Sequence, residues 1–135
     1  MNIVILLSII AVIESSGNPL AYNPNTKATG LYQITPICLE EYNNYHKVKF
    51  TQKDLFKPDI NKKIASWYLY RRIPEMLMVN GYSPSTENIL ICWNWGIGNF
   101  LKWKAGKKSL PRETKNFLDK YKEMSGNMTE MEGGR

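Results

Sequence analysis

Histidine occurs once in this chain of 135 residues, at His46, and cysteine twice, at Cys38 and Cys92. One imidazole and two distant thiols offer no metal-ligand spacing, so neither a metal nor another cofactor is expected. Two cysteines are also too few for a disulfide framework. Both are read as packed thiols, with a bridge between them left open. A long apolar run is missing as well: the longest, residues 3–13, falls short of the roughly 20 residues a helix needs to cross a hydrocarbon core. No integral membrane segment is therefore expected. No positive charge precedes that run and no Ala-x-Ala-like site follows it, so it lacks the marks of a cleavable signal. Nor is the chain polar enough to stay unfolded, since 43% of its residues are hydrophobic and 12% aromatic. That is enough apolar surface to offset the ordering entropy of a single domain. An excess of negative charge is absent too: 18 Lys and Arg against 12 Asp and Glu leave +6. This balance favours an anionic partner without choosing among nucleic acid, a membrane surface and an acidic polymer.

What is present reads as helix. The run Ile-Val-Ile-Leu-Leu-Ser-Ile-Ile-Ala-Val-Ile (3–13) is long for a strand, and a helix apolar on all sides is a buried helix. Its last turn ends in Glu14. From Ser15 to Thr29 turn-forming residues dominate, which predicts a structured loop or short hairpin. Thr35 as N-cap and Pro36 at the first position open a helix to about Tyr45, and a shorter turn spans Gln52 to Phe56. From Pro58 the apolar and aromatic residues recur at near-helical spacing through Ile64, Trp67, Ile73 and Leu77, predicting one long helix kinked at Pro74 and ended by Gly81. Ser83 and Pro84 start another that reaches Trp95. A short helix carries Phe100, Leu101 and Trp103, and a last one runs from Pro111 to about Met124. The expected fold class is mainly α, a single helical domain over residues 1–124 with a structured loop after its first helix. Residues 125–135 are expected to form a flexible tail.

A carboxyl group that terminates an apolar helix sits where desolvation raises its pKa, the condition under which a glutamic acid stays protonated and acts as a general acid. Glu14 is that candidate. Taken alone, the same position also fits a carboxylate turned out to water as a helix ends.

Five blocks bear on this choice: Ile-Glu-Ser-Ser-Gly-Asn-Pro (13–19), Gly-Leu-Tyr-Gln-Ile-Thr-Pro (30–36), Asp-Leu-Phe-Lys-Pro-Asp-Ile-Asn (54–61), Cys-Trp-Asn-Trp-Gly-Ile-Gly-Asn (92–99) and Leu-Pro-Arg-Glu-Thr-Lys-Asn-Phe (110–117). In order and spacing they resemble the motif blocks of the soluble lytic transglycosylases, over about residues 5–124. The resemblance implies a lysozyme-like, mainly helical (α+β) fold that cleaves peptidoglycan between N-acetylmuramic acid and N-acetylglucosamine. It implies that Glu14 is the single catalytic glutamate. It further implies that Asn23 hydrogen-bonds the sugar, that Tyr32 and Gln33 line the cleft, that Asn94 follows the aromatic at Trp93 in the substrate site, and that Glu113 contacts the peptide stem. Three residues depart from the family pattern: Trp93 stands for a tyrosine, Phe117 for another tyrosine, and Lys27 for a glycine in a loop one residue longer.

Two-carboxylate glycosidases hold their acid and its partner about 5–5.5 Å apart when retaining and about 6.5–9.5 Å apart when inverting. Between Ser15 and Leu39 there is no Asp or Glu, which favours a one-carboxylate mechanism as far as the local sequence goes; Asp54, Asp59 and Glu113 remain as groups the fold can bring near. The expected product is then a 1,6-anhydro sugar. The alternatives are a lysozyme-type hydrolase of the same bond and a weakly active peptidoglycan-binding module. A nucleic-acid binder ranks last, because the basic residues do not gather on one recognition helix.

Among the remaining residues, Trp67 and Trp103 are expected in the core, while Trp93 and Trp95 are open to either core or sugar-stacking roles. His46 is expected at the surface. The cations Lys102, Lys104, Lys107, Lys108, Arg112 and Lys115 fit either an anionic wall component or a solvated face. The expected partner is a peptidoglycan glycan strand met by a monomer, with no nucleic acid. The expected location is the cell wall or periplasm, or a virion.

Overall fold

The computed structural model describes residues 3–133, with side chains over 7–126. The chain divides into two compact units, Ile10–Trp67 on the one hand and Met1–Ile9 with Tyr68–Arg135 on the other.

Helix α1 (Ile3–Ser15) contributes to both. Leu7, Ile9, Ile10 and Ala11 are buried, whereas Ser8 and Val12, four residues apart, are exposed. The helix is therefore not buried on every side, as its composition suggested. Side chains four apart share one helix face, and that face is left to solvent. After Ser15 the chain reverses through two left-handed residues, Ser16 at φ 55° and Gly17 at φ 77°.

The loop that follows is a minimal antiparallel hairpin. Thr29 bridges to Tyr22 on one side and to Ile34 on the other, with the Thr29 and Ile34 N–H groups donating to each other's carbonyls at 3.0 and 3.1 Å. Helix α2 (Pro36–His46) starts as its sequence requires, the Thr35 hydroxyl accepting from the Cys38 N–H at 3.3 Å. A 3-10 turn (Gln52–Phe56) is closed by a capping box between Thr51 and Asp54. Helix α3 (Pro58–Trp67) completes this unit, with Ile64, Ala65 and Trp67 buried.

The long helix expected from Pro58 to Gly81 is interrupted. A π-helical turn (Tyr68–Arg72) separates α3 from α4 (Ile73–Val79). Pro74 supplies the reason: it has no N–H for the Tyr70 carbonyl, and widening the preceding turn relieves the clash of its ring. Helix α4 ends in a Schellman motif, with Gly81 at φ 82° and the Tyr82 N–H reaching the Leu77 carbonyl at 2.9 Å. Tyr82 then packs edge-on to Phe100, ring centres 5.2 Å apart.

Helix α5 (Thr86–Trp95) is capped by Ser85, not started at Ser83: the Ser85 hydroxyl accepts from the Asn88 N–H at 3.2 Å. Ser83 instead accepts through its carbonyl from the Asn88 side chain. Helices α6 (Ile97–Lys104) and α7 (Arg112–Gly133) follow. The backbone of α7 continues past the expected end near Met124, and the side chains of the last residues lie outside those described. The core of this unit is apolar, built from Leu69, Ile73, Leu77, Ile89, Leu90, Ile91, Phe100, Phe117 and Leu118.

Candidate active site

Four of the seven expected site residues, Glu14, Asn23, Tyr32 and Gln33, lie in the unit Ile10–Trp67. Trp93, Asn94 and Glu113 lie in the other.

Glu14 occupies the last turn of α1 and is half-buried. Its neighbour fixes where that turn ends. The Ser15 hydroxyl lies 2.7 Å from the Leu31 carbonyl and 3.1 Å from that of Ala11. The shorter contact ties the end of the helix to the Gly30–Gln33 turn.

That turn is held from beneath by a buried amide. Asn61, fully buried on α3, accepts from the Tyr32 N–H at 2.9 Å and donates to the carbonyls of Thr29 and Leu55, each at 2.9 Å. A buried amide is tolerated only when its polar atoms are satisfied, and here both oxygen and nitrogen are. Gly30, at φ 82°, lies so close that a Cβ would collide with the Leu55 carbonyl and the Asn61 side chain.

Tyr32 is a core residue by area, only 3% exposed, and burial raises the pKa of its phenol. The ring lies in the core and the phenol is held protonated. Gln33, at φ 53°, donates from Nε2 to the Gly30 and Ala21 carbonyls at 3.1 and 3.3 Å. Its side-chain amide is thereby fixed within the turn. Asn23 sits at the far end of the hairpin, exposed, and its Oδ1 is engaged locally, accepting from the Asn25 N–H at 2.9 Å. The structure therefore brings Tyr32 and Gln33 into one turn tethered beside Glu14, and leaves Asn23 at the hairpin tip.

In the second unit, Asn94 on α5 is half-buried and its Oδ1 accepts from the Thr114 hydroxyl at 2.8 Å. Thr114 is buried, so the amide is oriented by a fixed group on α7. Glu113, next to it, is exposed in the first turn of α7, where a carboxylate complements the helix dipole. Trp93 and Trp95 are half-buried, and Phe117 is buried without a hydroxyl to satisfy.

Asp54 is occupied elsewhere. Its carboxylate accepts from the Thr51 N–H at 2.8 Å and pairs with Lys57 at 3.5 Å, and these hydrogen bonds, the Thr51 N–H foremost, hold its pKa below the ordinary carboxylate value. This suits a capping anion, not a proton donor. His46 is exposed, stacked on Tyr42 at 4.0 Å with Nδ1 3.0 Å from the Tyr42 carbonyl, a surface role as expected. Trp67 is buried, also as expected, while Trp103 is half-buried beneath Lys104. Neither cysteine forms a disulfide, and burial pushes the Cys92 thiol up to about 12. No group of residues suited to a metal ion occurs among those described.

Sequence reasoning gave no role to Asn61, Ser15 or Thr114. Asn61 closes the third motif block, which was the only available signal; two of its three partners lie 29 and 32 positions away.

The protein is mainly α, with an acid in the last turn of a largely apolar first helix, followed by a polar hairpin and a helical remainder. The profile of the Transglycosylase SLT domain matches residues 4–116, and the chain belongs to that family of peptidoglycan lytic transglycosylases. No curated protein and no solved structure gives a significant match. No helix among the described residues is long and apolar enough to cross a membrane.

Proposed function

We propose that the protein cleaves the β-1,4 bond between N-acetylmuramic acid and N-acetylglucosamine without water, using Glu14 as its one catalytic carboxyl group. Glu14 gives its proton to the glycosidic oxygen as the bond to the muramic C1 breaks. The carbonyl oxygen of the sugar's own N-acetyl group stabilises the developing cation. The Glu14 carboxylate then takes the proton of the C6 hydroxyl as that oxygen closes on C1. The products are a 1,6-anhydromuramic end and a free N-acetylglucosamine 4-hydroxyl, with Glu14 reprotonated.

The observation that carries this reading is the half-buried position of Glu14 in the last turn of α1, with Ser15 tying that turn to the Tyr32–Gln33 segment. In this reading the Tyr32 hydroxyl and Gln33 Oε1 meet the glycan, Asn23 binds it at the hairpin tip, Trp93 offers a stacking face, Asn94 a fixed amide and Glu113 a contact to the stem peptide. The protein acts as a monomer in the cell wall or periplasm, or as part of a virion.

Mass spectrometry of muropeptides released by the wild type and by Glu14→Gln tests it. The wild type should give products one water lighter than reducing ends, and the variant should fall by at least about a hundredfold, the lower range for loss of a general acid. Reducing ends from the wild type would identify a hydrolase. Undiminished digestion by Glu14→Gln would remove Glu14 from the mechanism.

A further inference from the structure

The segment between Glu87 and Glu113 contains no acidic residue but five cations, Lys102, Lys104, Lys107, Lys108 and Arg112. Backbone geometry gathers the lysines. Helix α6 closes through Gly106 in the left-handed region at φ 76°, and the Lys107 N–H reaches back to the Lys102 carbonyl at 2.8 Å, so these two residues meet across the turn. Lys108 folds onto the same helix, its Nζ 2.7 Å from Asn99 Oδ1, and Asn99 is held in turn by the Trp95 carbonyl at 2.8 Å. Asn99 and Lys102 are three positions apart and share a face. Lys102, Lys107 and Lys108 therefore converge, all exposed. Lys104 lies over the Trp103 ring at 4.5 Å.

Among the described residues none of these cations has an acidic partner. The helix dipole favours cations in the last turn of α6, which accounts for Lys102 and Lys104 but not for Lys107 and Lys108 beyond it. Converging like charges with no internal counterion repel one another, and an external polyanion relieves that repulsion while releasing its own counterions.

We infer that this turn is a docking site for a phosphodiester-linked anionic polymer of the cell wall. A wall polymer is favoured over nucleic acid because the cations occupy a helix C-terminus and the following loop, with no helix presenting them to a groove. The inference rests on the wall as the place of action, and not on the mechanism assigned to Glu14.

The test is co-sedimentation with insoluble wall sacculi carrying a polyol-phosphate polymer, beside the same sacculi stripped of phosphodiesters by hydrofluoric acid. The variant is Lys102→Gln with Lys107→Gln, which spares Lys104 and Lys108 with their contacts to Trp103 and Asn99. Lys62→Gln with Lys63→Gln, on the exposed side of α3, removes equal charge elsewhere. Binding to polymer-bearing sacculi should fall by roughly 20- to 40-fold between about 50 mM and about 200 mM salt, the scale for about three phosphate contacts. Stripping and the Lys102/Lys107 variant should each weaken it severalfold, with the α3 control close to wild type. The Lys102/Lys107 variant should still cleave soluble, polymer-free glycan at the wild-type rate, which separates this failure from one at Glu14. Equal binding to stripped sacculi, an equal loss in the α3 control, or preferential retention on duplex DNA or anionic lipid vesicles would each overturn the inference.

Discussion

The two units are held by different forces. In Ile10–Trp67 an irregular hairpin, unable to satisfy its own backbone, is fastened to its surroundings by side-chain amides and hydroxyls: Asn61 beneath the turn, Gln33 across it, Ser15 at its entrance. In the unit containing Tyr68–Arg135, helices satisfy their own backbone and pack through apolar side chains around Phe100. The contrast shows why the expected catalytic segment needs directional contacts. Close apolar packing fills space without orienting a polar group, whereas a hydrogen bond has a preferred distance and angle.

The strongest way to break the contrast is to attack each unit at its centre. Phe100→Ala should destabilise the protein by about 3–5 kcal/mol through cavity formation, read as a shifted urea midpoint. Asn61→Ala removes the partner of the Tyr32 N–H and of the Leu55 carbonyl, the Thr29 carbonyl keeping the Ile34 N–H, and should cost about 2 kcal/mol or more, because each buried polar group left unpaired costs about 1–3 kcal/mol. Gly30→Ala should be comparably severe, since the new methyl meets Leu55 backbone as well as Asn61. A mild phenotype for Asn61→Ala would mean that the hairpin stands without its buried amide.

Smaller changes sharpen the comparison. Ser15→Ala should cost only about 1 kcal/mol of stability but lower the rate of glycan cleavage, because it frees the turn carrying Glu14. An unchanged rate would show that the Ser15 contact only supports the fold. The smallest effect concerns acid. Because the Asp54 pKa is lowered in the folded state, its contribution is present above the unfolded value and disappears as the pH falls through the folded one. Asp54→Asn should accordingly flatten the decline in melting temperature below about pH 4, without altering the decline at alkaline pH.

Much of this architecture was legible in the sequence because its signals are local. Thr35 with Pro36, and the turn formers after Ser15, say where elements begin and end within a few residues. Misreadings came where two local rules competed. Pro74 suggested a kink in one helix, yet the strain is absorbed one turn earlier, at Tyr68–Arg72. Ser83 and Ser85 are both plausible caps flanking Pro84, and only the second has its hydroxyl at the Asn88 N–H. The apolar run of α1 spoke for burial on all sides, but composition cannot say which face lacks a neighbour. At the candidate site, Glu14 stood out because an acid ends an apolar run, and the motif blocks named its companions. Asn61 was nearly silent: apart from closing the third motif block, an asparagine with two of its three partners some thirty positions away looks in sequence like any other polar helix residue.

The suppressed ionisation of Cys92 has a bearing on where such a protein can work. Thiolate is the form that oxidants and stray disulfides attack, and at neutral pH this sulfur holds almost none. An enzyme whose substrate lies outside the cytoplasm can thus carry a cysteine one position before its candidate sugar-stacking tryptophan without pairing it, the core itself serving as the antioxidant.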